Sequence, residues 1–290
     1  MVLATLFWAG NFAVGRVIFN QISPVMFNFL RWTVGLVFLS LFAFKRFGEI
    51  SRALKNHYRW FLGMAIYGVV FHVLMYTALR YTTATNMALI MGATPATILI
   101  LSAWLHGSRH ALPRILIVGL SFCGVGVLVQ ENLAAPNLGD LIGCVSMVMW
   151  AYYSASLHLC PVKLDSLVLT IAITFAGVII MLPLAGADIA INGLMPLNAE
   201  VVMAVLYVGL LASGLAFLFW NKGVVAMGPV PAGQFMNLVP VFGVLIGITV
   251  LGESFTARHA LAAVLIIGGL LLSELFGRIE TARGSLESKS

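Results

Sequence analysis

The chain has 290 residues, of which 61% are hydrophobic and only 9% are charged, and its formal net charge is +6. An ordinary soluble domain is about 25% charged, so a water-soluble fold of this size would lack the polar residues that cover a surface. The composition therefore excludes an ordinary soluble domain and predicts an all-α integral membrane protein.

Ten apolar stretches follow one another along the chain, and the length of each is close to the roughly 20 residues that a helix needs to cross a bilayer. The first lacks a basic leading segment and contains polar residues in "WAGNFAVGR", which disfavours a secretory signal. Short breaks with Pro, Gly and Asn separate the stretches, and residues 277–290 form a polar tail that we expect to be mobile. The predicted transmembrane helices are 1–19, 24–44, 60–79, 84–105, 113–130, 138–158, 165–184, 200–221, 230–251 and 258–276.

The positions of Lys and Arg predict the orientation of these helices, since such residues concentrate in cytoplasmic loops. If the N-terminus lies inside, twelve of the 16 Lys and Arg residues fall on the inner side. The remaining four are Arg16, Arg31, Arg80 and Arg258. Both termini are therefore expected in the cytoplasm, and the positive charge needs no nucleic-acid partner. The cysteines, Cys123, Cys144 and Cys160, lack metal-ligand spacing, and we expect neither a metal nor a cofactor.

An internal repeat emerges when the sequence is displaced by 145 residues. Met91 then meets Met236, Pro95 meets Pro240, and Gly124 meets Gly269. The register predicts two five-helix repeats, residues 1–130 and 138–276. Because five is odd, the second repeat must be inverted relative to the first, a plan that secondary transporters share, with their site near the membrane midplane.

Two prolines occupy equivalent positions in this repeat, inside the fourth and ninth predicted helices. Proline removes a backbone donor, so Pro95 and Pro240 would leave the carbonyls of Met91 and Met236 unpaired at membrane depth. Each proline could be a static packing kink. As a repeat-related pair, they favour a hinge or a cavity-lining position.

Several motifs resemble one family over nearly the whole chain. They are "FWAGNF", "FLRW", "ALRYTTATNMALI", "GATPATILILSAWLHG", "FLFWNKGV" and "NLVPVFGVLIGITVLGES". The chain resembles the drug/metabolite transporter superfamily, in particular its EamA-type ten-helix exporters and most closely the bacterial amino-acid exporters. The resemblance implies a ten-helix inverted-repeat fold and export of small metabolites across the bacterial inner membrane. One departure is "WLHGS", where the family often has the Gly-Glu pair found here at Gly252 and Glu253.

Polar and aromatic residues within the spans are the candidates for a substrate site, since polar groups in a membrane usually face the bundle interior. Rings could cover an apolar side chain, while amides and hydroxyls could bond an ammonium and a carboxylate. Core packing or polar contacts between helices are the alternatives. The candidate substrate-binding residues are Trp8, Asn11, His72, Tyr76, Asn86, Trp150, Tyr153, Trp220, Gln234 and Asn237.

Arg31 is treated separately because it lies about two turns into the second predicted helix. Its head group could reach the outer interface, or it could bind a substrate carboxylate. We expect a structural or gating ion pair.

All ten acidic residues fall in loops or near the ends of predicted helices. Proton- and sodium-coupled carriers commonly depend on buried carboxylates, so we predict uncoupled facilitated diffusion or exchange. Proton coupling through His72 is the alternative, with Glu274 a distant second acceptor.

The sequence thus predicts a monomeric secondary transporter that exports neutral or zwitterionic metabolites, most of all amino acids. A drug or nucleotide-sugar carrier of the same fold is the alternative. A membrane enzyme is disfavoured because the six histidines are scattered over separate segments, and no filter-like loop suggests a channel.

Overall fold

The computed structural model describes residues 1–18, 20–106, 137–194 and 198–287, with residues 123, 124, 127 and 196 as isolated positions. Regular structure in this part of the chain is helical throughout, without a strand. The helices are α1 (Val2–Ile18), α2 (Pro24–Ser40), α3 (Phe47–Ala65), α4 (His72–Ala78), α5 (Ala84–Gly92), α6 (Thr94–His106), α7 (Leu138–Ser156), α8 (Ser166–Asn192), α9 (Ala199–Tyr207), α10 (Ala216–Met227), α11 (Pro229–Gly233), α12 (Leu238–Leu251) and α13 (Ala257–Glu287).

Two π-helical segments and one 3₁₀ turn join neighbouring helices into longer continuous helical segments. Ile66–Val70 connects α3 to α4, Val208–Leu215 connects α9 to α10, and Gln234–Asn237 connects α11 to α12.

The helices are those of a multi-pass membrane protein. Three shorter apolar helices accompany five that are long and apolar enough to cross a bilayer. Large apolar side chains cover the outside, as with Val250 at 70% and Val264 at 68% exposure. The five long helices are Phe44–Ala78, Ala84–Leu105, Ser166–Asn192, Ala199–Met227 and Pro229–Leu251, and the shorter ones are Val2–Ile18, Pro24–Ser40 and Ala257–Gly269.

Nine of the predicted spans coincide with described helices, but several boundaries differ. The predicted span 113–130 lies outside the described residues except for three positions. The third span was expected to begin at residue 60, whereas its helix begins at Phe47 and bends at His57. The last helix continues to Glu287, so the segment expected to be a mobile tail is helical up to that residue. Helix-forming side chains such as Glu and Arg explain this extension.

Each of the two prolines begins a new helical segment. A turn at Ala93 separates α5 from α6, and Pro95 is the second residue of α6. In the other half, Pro240 is the third residue of α12, directly after the 3₁₀ turn. Proline is tolerated in the first turn of a helix because the N–H there has no intrahelical partner. The prolines therefore mark breaks between helices rather than defects within one.

Several structural features recur at the 145-residue displacement. The π-helical segment Ile66–Val70 corresponds to residues 211–215 of the other π-helical segment. Packing of α1 on α12 is matched by packing of α7 on α6.

The two helix pairs that are interrupted near the prolines, α5–α6 and α11–α12, also contact each other reciprocally. A Cβ on Gly243 would overlap the Ala88 side chain, and a Cβ on Gly233 would lie 3.2 Å from Cδ1 of Ile98. The displacement converts the first contact into the second, because 88 becomes 233 and 98 becomes 243.

Candidate functional site

A small cavity lies between helices of both halves, with a volume of about 20 Å³. This is room for about one water molecule, so the lining side chains lie close together. The lining residues are Trp8, Asn11, Phe12, Trp32, Phe71, His72, Met75, Met91, Trp150, Ala212, Phe217 and Met236.

Three tryptophans pack together at one wall of the cavity. The ring centroids of Trp8 and Trp150 are 5.1 Å apart, those of Trp8 and Trp220 5.3 Å, and those of Trp150 and Trp220 5.4 Å. The Trp220 indole donates to the Ser154 hydroxyl at 3.1 Å. Such rigid, amphipathic rings suit an apolar or aromatic ligand.

A π-helical segment provides the hydrogen bond that orients Trp8. The Trp8 indole donates to the carbonyl oxygen of Ala212 at 3.0 Å. Ala212 lies within Val208–Leu215, where the hydrogen-bond register is i to i+5 and backbone groups are left free for side chains. Segments of this kind often occur at functional sites, and here both flank the cavity.

Another wall of the cavity contains His72, which follows the first π-helical segment. Its ring centroid lies 3.9 Å from that of Phe71 and 5.5 Å from that of Trp32. Trp32 in turn contacts Phe217, with centroids 4.7 Å apart. His72 and Phe217 are themselves related by the 145-residue displacement, so both halves contribute equivalent positions to this wall.

Among the described residues, several buried donors around the cavity find no hydrogen-bond partner. They include the indole N–H groups of Trp32 and Trp150 and the guanidinium Nη2 of Arg31, and the Nδ1 of His72 is also unpaired. An unpaired buried polar group costs about 1–3 kcal/mol. Such an arrangement suits a ligand that brings hydrogen-bond acceptors.

Arg31 is fully buried on α2, and the expected ion pair is absent from the described residues. Its Nε donates to the Ser213 hydroxyl at 2.7 Å, and its Nη1 donates to the Tyr76 hydroxyl at 2.7 Å. Ion pairs recorded in the described ranges join Arg46 to Glu49 and Asp165. Among the described side chains Arg31 points into the bundle toward hydroxyl groups, and the ion pair stays a prediction because several acidic side chains lie outside the described part of the chain.

Tyr76 and Tyr153, both predicted site residues, lie directly behind the cavity wall. The Tyr76 hydroxyl donates to Oδ1 of Asn11, which lines the cavity. The Tyr153 hydroxyl donates to Oδ1 of Asn221 at 2.7 Å, and its ring stacks on Trp150 with centroids 5.2 Å apart. These side chains support the wall rather than form it.

The predicted site residues on the broken helices fall elsewhere. Asn86 is near the start of α5, where its Oδ1 lies 3.0 Å from Nε2 of His259. Asn237 donates to Gln234 at 3.3 Å, and both side chains are half-buried beside Met236. Asn86, Gln234 and Asn237 therefore do not line the cavity in this conformation.

Asp140 is a buried carboxylate, which its position near a helix end did not lead us to expect. It is near the start of α7, as the sequence indicates, yet it is fully buried. Thr82 donates to its carboxylate, and Nδ2 of Asn86 lies 3.4 Å from both carboxylate oxygens. A position near a helix end does not guarantee exposure, because α5 and its preceding loop cover this one. The chain thus has a buried carboxylate, although it is remote from the cavity lining.

Glu253 ties the end of α12 to the start of α5. Its carboxylate accepts the backbone N–H groups of Ala84 and Thr85, both at 3.0 Å, and the Thr85 hydroxyl. A carboxylate at a helix N-terminus also interacts favourably with the helix dipole. The two halves are therefore held together at this end.

Sequence reasoning missed eight of the lining residues, which are mostly apolar: Phe12, Trp32, Phe71, Met75, Met91, Ala212, Phe217 and Met236. The repeat could have identified Met91 and Met236, since they coincide under the displacement. Trp32 and Phe71 directly adjoin Arg31 and His72, but adjacency along a helix does not predict a shared face.

A larger groove of about 850 Å³ lies on the outer surface between α2, α3 and α8. Most of its lining is apolar, and the polar residues are Ser40, Ser51 and Lys55. Exposed side chains such as Val37 and Phe175 border it, which is expected of a surface that faces lipid. The central cavity, with its donors and amides, is the better candidate site. No group of three potential metal ligands occurs among the described residues.

Comparison with known proteins adds an independent finding. The EamA-like transporter family matches residues 1–130 and 137–275. An uncharacterized transporter of Archaeoglobus fulgidus is 26% identical, with 94% of this chain and 95% of the relative covered. A probable amino-acid metabolite efflux pump of Salmonella typhimurium is 22% identical, with coverage of 98% and 97%. A solved crystal structure at 20% identity has a TM-score of 0.70 and 95% coverage of both chains, which supports the fold alone.

Proposed function

Because this chain belongs to the EamA-like transporter family, we propose that it exports small neutral or zwitterionic metabolites, amino acids foremost, by alternating access. The observation that carries the proposal is the closed aromatic cavity between the halves, with unpaired donors around it. Rings provide an apolar surface for a side chain, and the donors provide partners for a carboxylate. The similarity to a probable amino-acid metabolite efflux pump is in accord with this substrate class.

The cavity of about 20 Å³ is far smaller than the few hundred Å³ of an ordinary ligand site. Transport of a substrate larger than water would therefore require the walls to separate. The candidate binding residues are the cavity-lining Trp8, Asn11, His72 and Trp150. Tyr76, Tyr153 and Trp220 would position them.

An inverted repeat of residues 1–130 and 138–276, with ten transmembrane helices, is the architecture that we propose for this cycle. The reciprocal contacts of Gly243 and Gly233, the equivalent π-helical segments and the breaks before Pro95 and Pro240 support it. The two breaks would act as hinges, because a helix interrupted at a turn can move one half against the other.

The remaining assignments follow the same proposal. The protein would act as a monomer in the bacterial inner membrane, with both termini in the cytoplasm. Uncoupled exchange is the proposed energetics, because no carboxylate occurs among the described residues that line the cavity. Proton coupling through His72, or through the buried Asp140, is the alternative mechanism.

Counterflow in proteoliposomes tests this function. Vesicles containing the purified protein are loaded with one unlabelled amino acid, and uptake of labelled threonine, methionine or phenylalanine is followed without an ion gradient. Uptake that depends on the internal amino acid supports an uncoupled carrier. Uptake only under a proton gradient would contradict the uncoupled mechanism. No uptake in either condition would contradict amino-acid transport and favour a drug or another metabolite.

Trp150→Ala is the matched loss-of-function variant, and Trp104→Ala is its control. Trp150 lines the cavity, whereas Trp104 is 72% exposed on the surface of the bundle. Only the first substitution should abolish exchange.

A further inference from the structure

Arg31 is a buried cation for which the described residues provide no counter-ion. Two hydroxyl groups accept from it, and its Cζ lies 4.9 Å from the Trp32 ring centroid and 5.6 Å from that of Tyr76. Hydroxyls and ring faces stabilise a guanidinium without neutralising its charge. Its Nη2 is buried and finds no partner in the part of the chain that the structure describes.

Each acidic side chain that the structure describes is bonded elsewhere. Glu49 and Asp165 bind Arg46, Asp140 binds Thr82, and Asp188 binds Ser23. Glu200 accepts from Gln21, and Glu253 accepts from the start of α5. A buried charge is strongly unfavourable unless an opposite charge or a set of hydrogen bonds compensates for it. An anion from outside the chain would provide that compensation.

The position of Arg31 relates this charge to the cavity. Trp32, on which the guanidinium stacks, lines the cavity. Its hydrogen-bond partners Tyr76 and Ser213 directly follow the lining residues Met75 and Ala212 in sequence. The guanidinium thus lies one side chain behind the wall, over the ring of Trp32 and bonded to Tyr76, whose hydroxyl donates to the lining residue Asn11.

We propose that Arg31 is the carboxylate anchor of this transporter, reached when the cavity opens and paired through its free Nη2. The inference rests on the proposed transport function and narrows its substrate class. Cargo would carry a carboxylate and an apolar or aromatic body, and amines, amides and sugars without a carboxylate would be excluded. Charge-assisted bonds from a guanidinium to a carboxylate are among the strongest hydrogen bonds in proteins.

A ligand series on the intact wild-type protein tests the anchor without any substitution. The ligands are phenylalanine, 3-phenylpropanoate, phenylalaninamide and phenethylamine, measured by quenching of tryptophan fluorescence and by displacement of labelled phenylalanine. The two carboxylates should bind about tenfold or more tightly than the amide and the amine. Equal affinity for all four would overturn the proposal.

Three variants then test whether the preference for carboxylates over the amide depends on Arg31. Arg31→Gln should reduce the acid-to-amide affinity ratio to near one, and Arg31→Lys should retain part of it because the charge remains. Arg16→Gln is the matched control, since Arg16 is also within a spanning helix but bonds the carbonyl of Leu79. An unchanged ratio in a folded Arg31→Gln protein would overturn the proposal.

These results separate the anchor from the transport function. If 3-phenylpropanoate binds through Arg31 but no amino acid exchanges in vesicles, the anchor stands and the amino-acid assignment fails. If amino acids, the amide and the amine all exchange equally, transport stands and the anchor fails. If no member of the series binds, both fail.

Discussion

At the scale of single residues, Tyr76 connects two buried polar side chains of different helices. Its hydroxyl accepts from Arg31 and donates to Asn11. Tyr76 is only 4% exposed, so water cannot replace the hydroxyl. One oxygen atom therefore bonds both the Nη1 of Arg31 on α2 and the amide oxygen of Asn11 on α1.

We predict that Tyr76→Phe destabilises the protein by about 2 kcal/mol or more, since it leaves a buried donor and a buried acceptor unpaired. The measurement is the thermal unfolding midpoint in detergent. Tyr81→Phe is the control, because Tyr81 is 56% exposed and its substitution should change stability by less than about 0.5 kcal/mol. Equal midpoints for the two variants would contradict the prediction.

At the scale of helices, the closest approach of α12 to α5 depends on a glycine. Gly243 faces Ala88 with no room for a Cβ. Small residues allow helices in a membrane to approach closely. Since α5 and α12 are the elements next to the proline breaks, their contact brings the two proposed hinges together.

We predict that Gly243→Ala costs about 1–3 kcal/mol through overpacking, and that Ala88→Gly recovers part of this loss in the double variant. Unfolding midpoints of the wild type, both single variants and the double variant form a thermodynamic cycle. Gly186→Ala on α8 is the control, since nothing lies within 4 Å of a Cβ there. The close contact would be disproved if Gly243→Ala were as stable as Gly186→Ala.

At the scale of the whole molecule, the two halves are not held together equally. Glu253 accepts two backbone N–H groups at the start of α5. The positions displaced by 145 residues are Ser108 and Pro229. Serine has no carboxylate and proline has no N–H, although Val230, which corresponds to Thr85, has one; the sequence therefore offers no carboxylate at position 108 for a bond equivalent to that of Glu253. This asymmetry would favour the conformation that is closed at the Glu253 end.

We predict that Glu253→Gln shifts the population toward the conformation open at that end. Replacing a charge-assisted bond with a neutral one costs about 1 kcal/mol, or roughly fivefold in population. Maleimide labelling of Ala84→Cys, in a protein without Cys123, Cys144 and Cys160, measures the shift because Ala84 is only 2% exposed. Glu200→Gln, with an exposed carboxylate, should leave the labelling rate unchanged. Identical rates in both variants would exclude this role for Glu253.

The sequence by itself determined the membrane class, nine of the helical spans in the described residues and the family, and it supplied the 145-residue displacement on which the proposed repeat rests. These properties depend on composition, on the length of apolar stretches and on local spacing, all of which can be read along one segment at a time. Trp8, Asn11, His72 and Trp150 were also predictable, because polar and large aromatic groups within a span usually face the bundle interior.

Only the tertiary structure decided which side chains meet. The apolar lining residues, such as Phe217 and Met75, look like ordinary core residues until separate helices bring them to one cavity. Asp140 is buried because Thr82 and Asn86, more than fifty positions away, cover it. Arg31 has no carboxylate partner among the described residues because the acids lie toward the helix ends. Burial and charge pairing depend on contacts between distant segments, and the periodicity of a single helix contains no information about them.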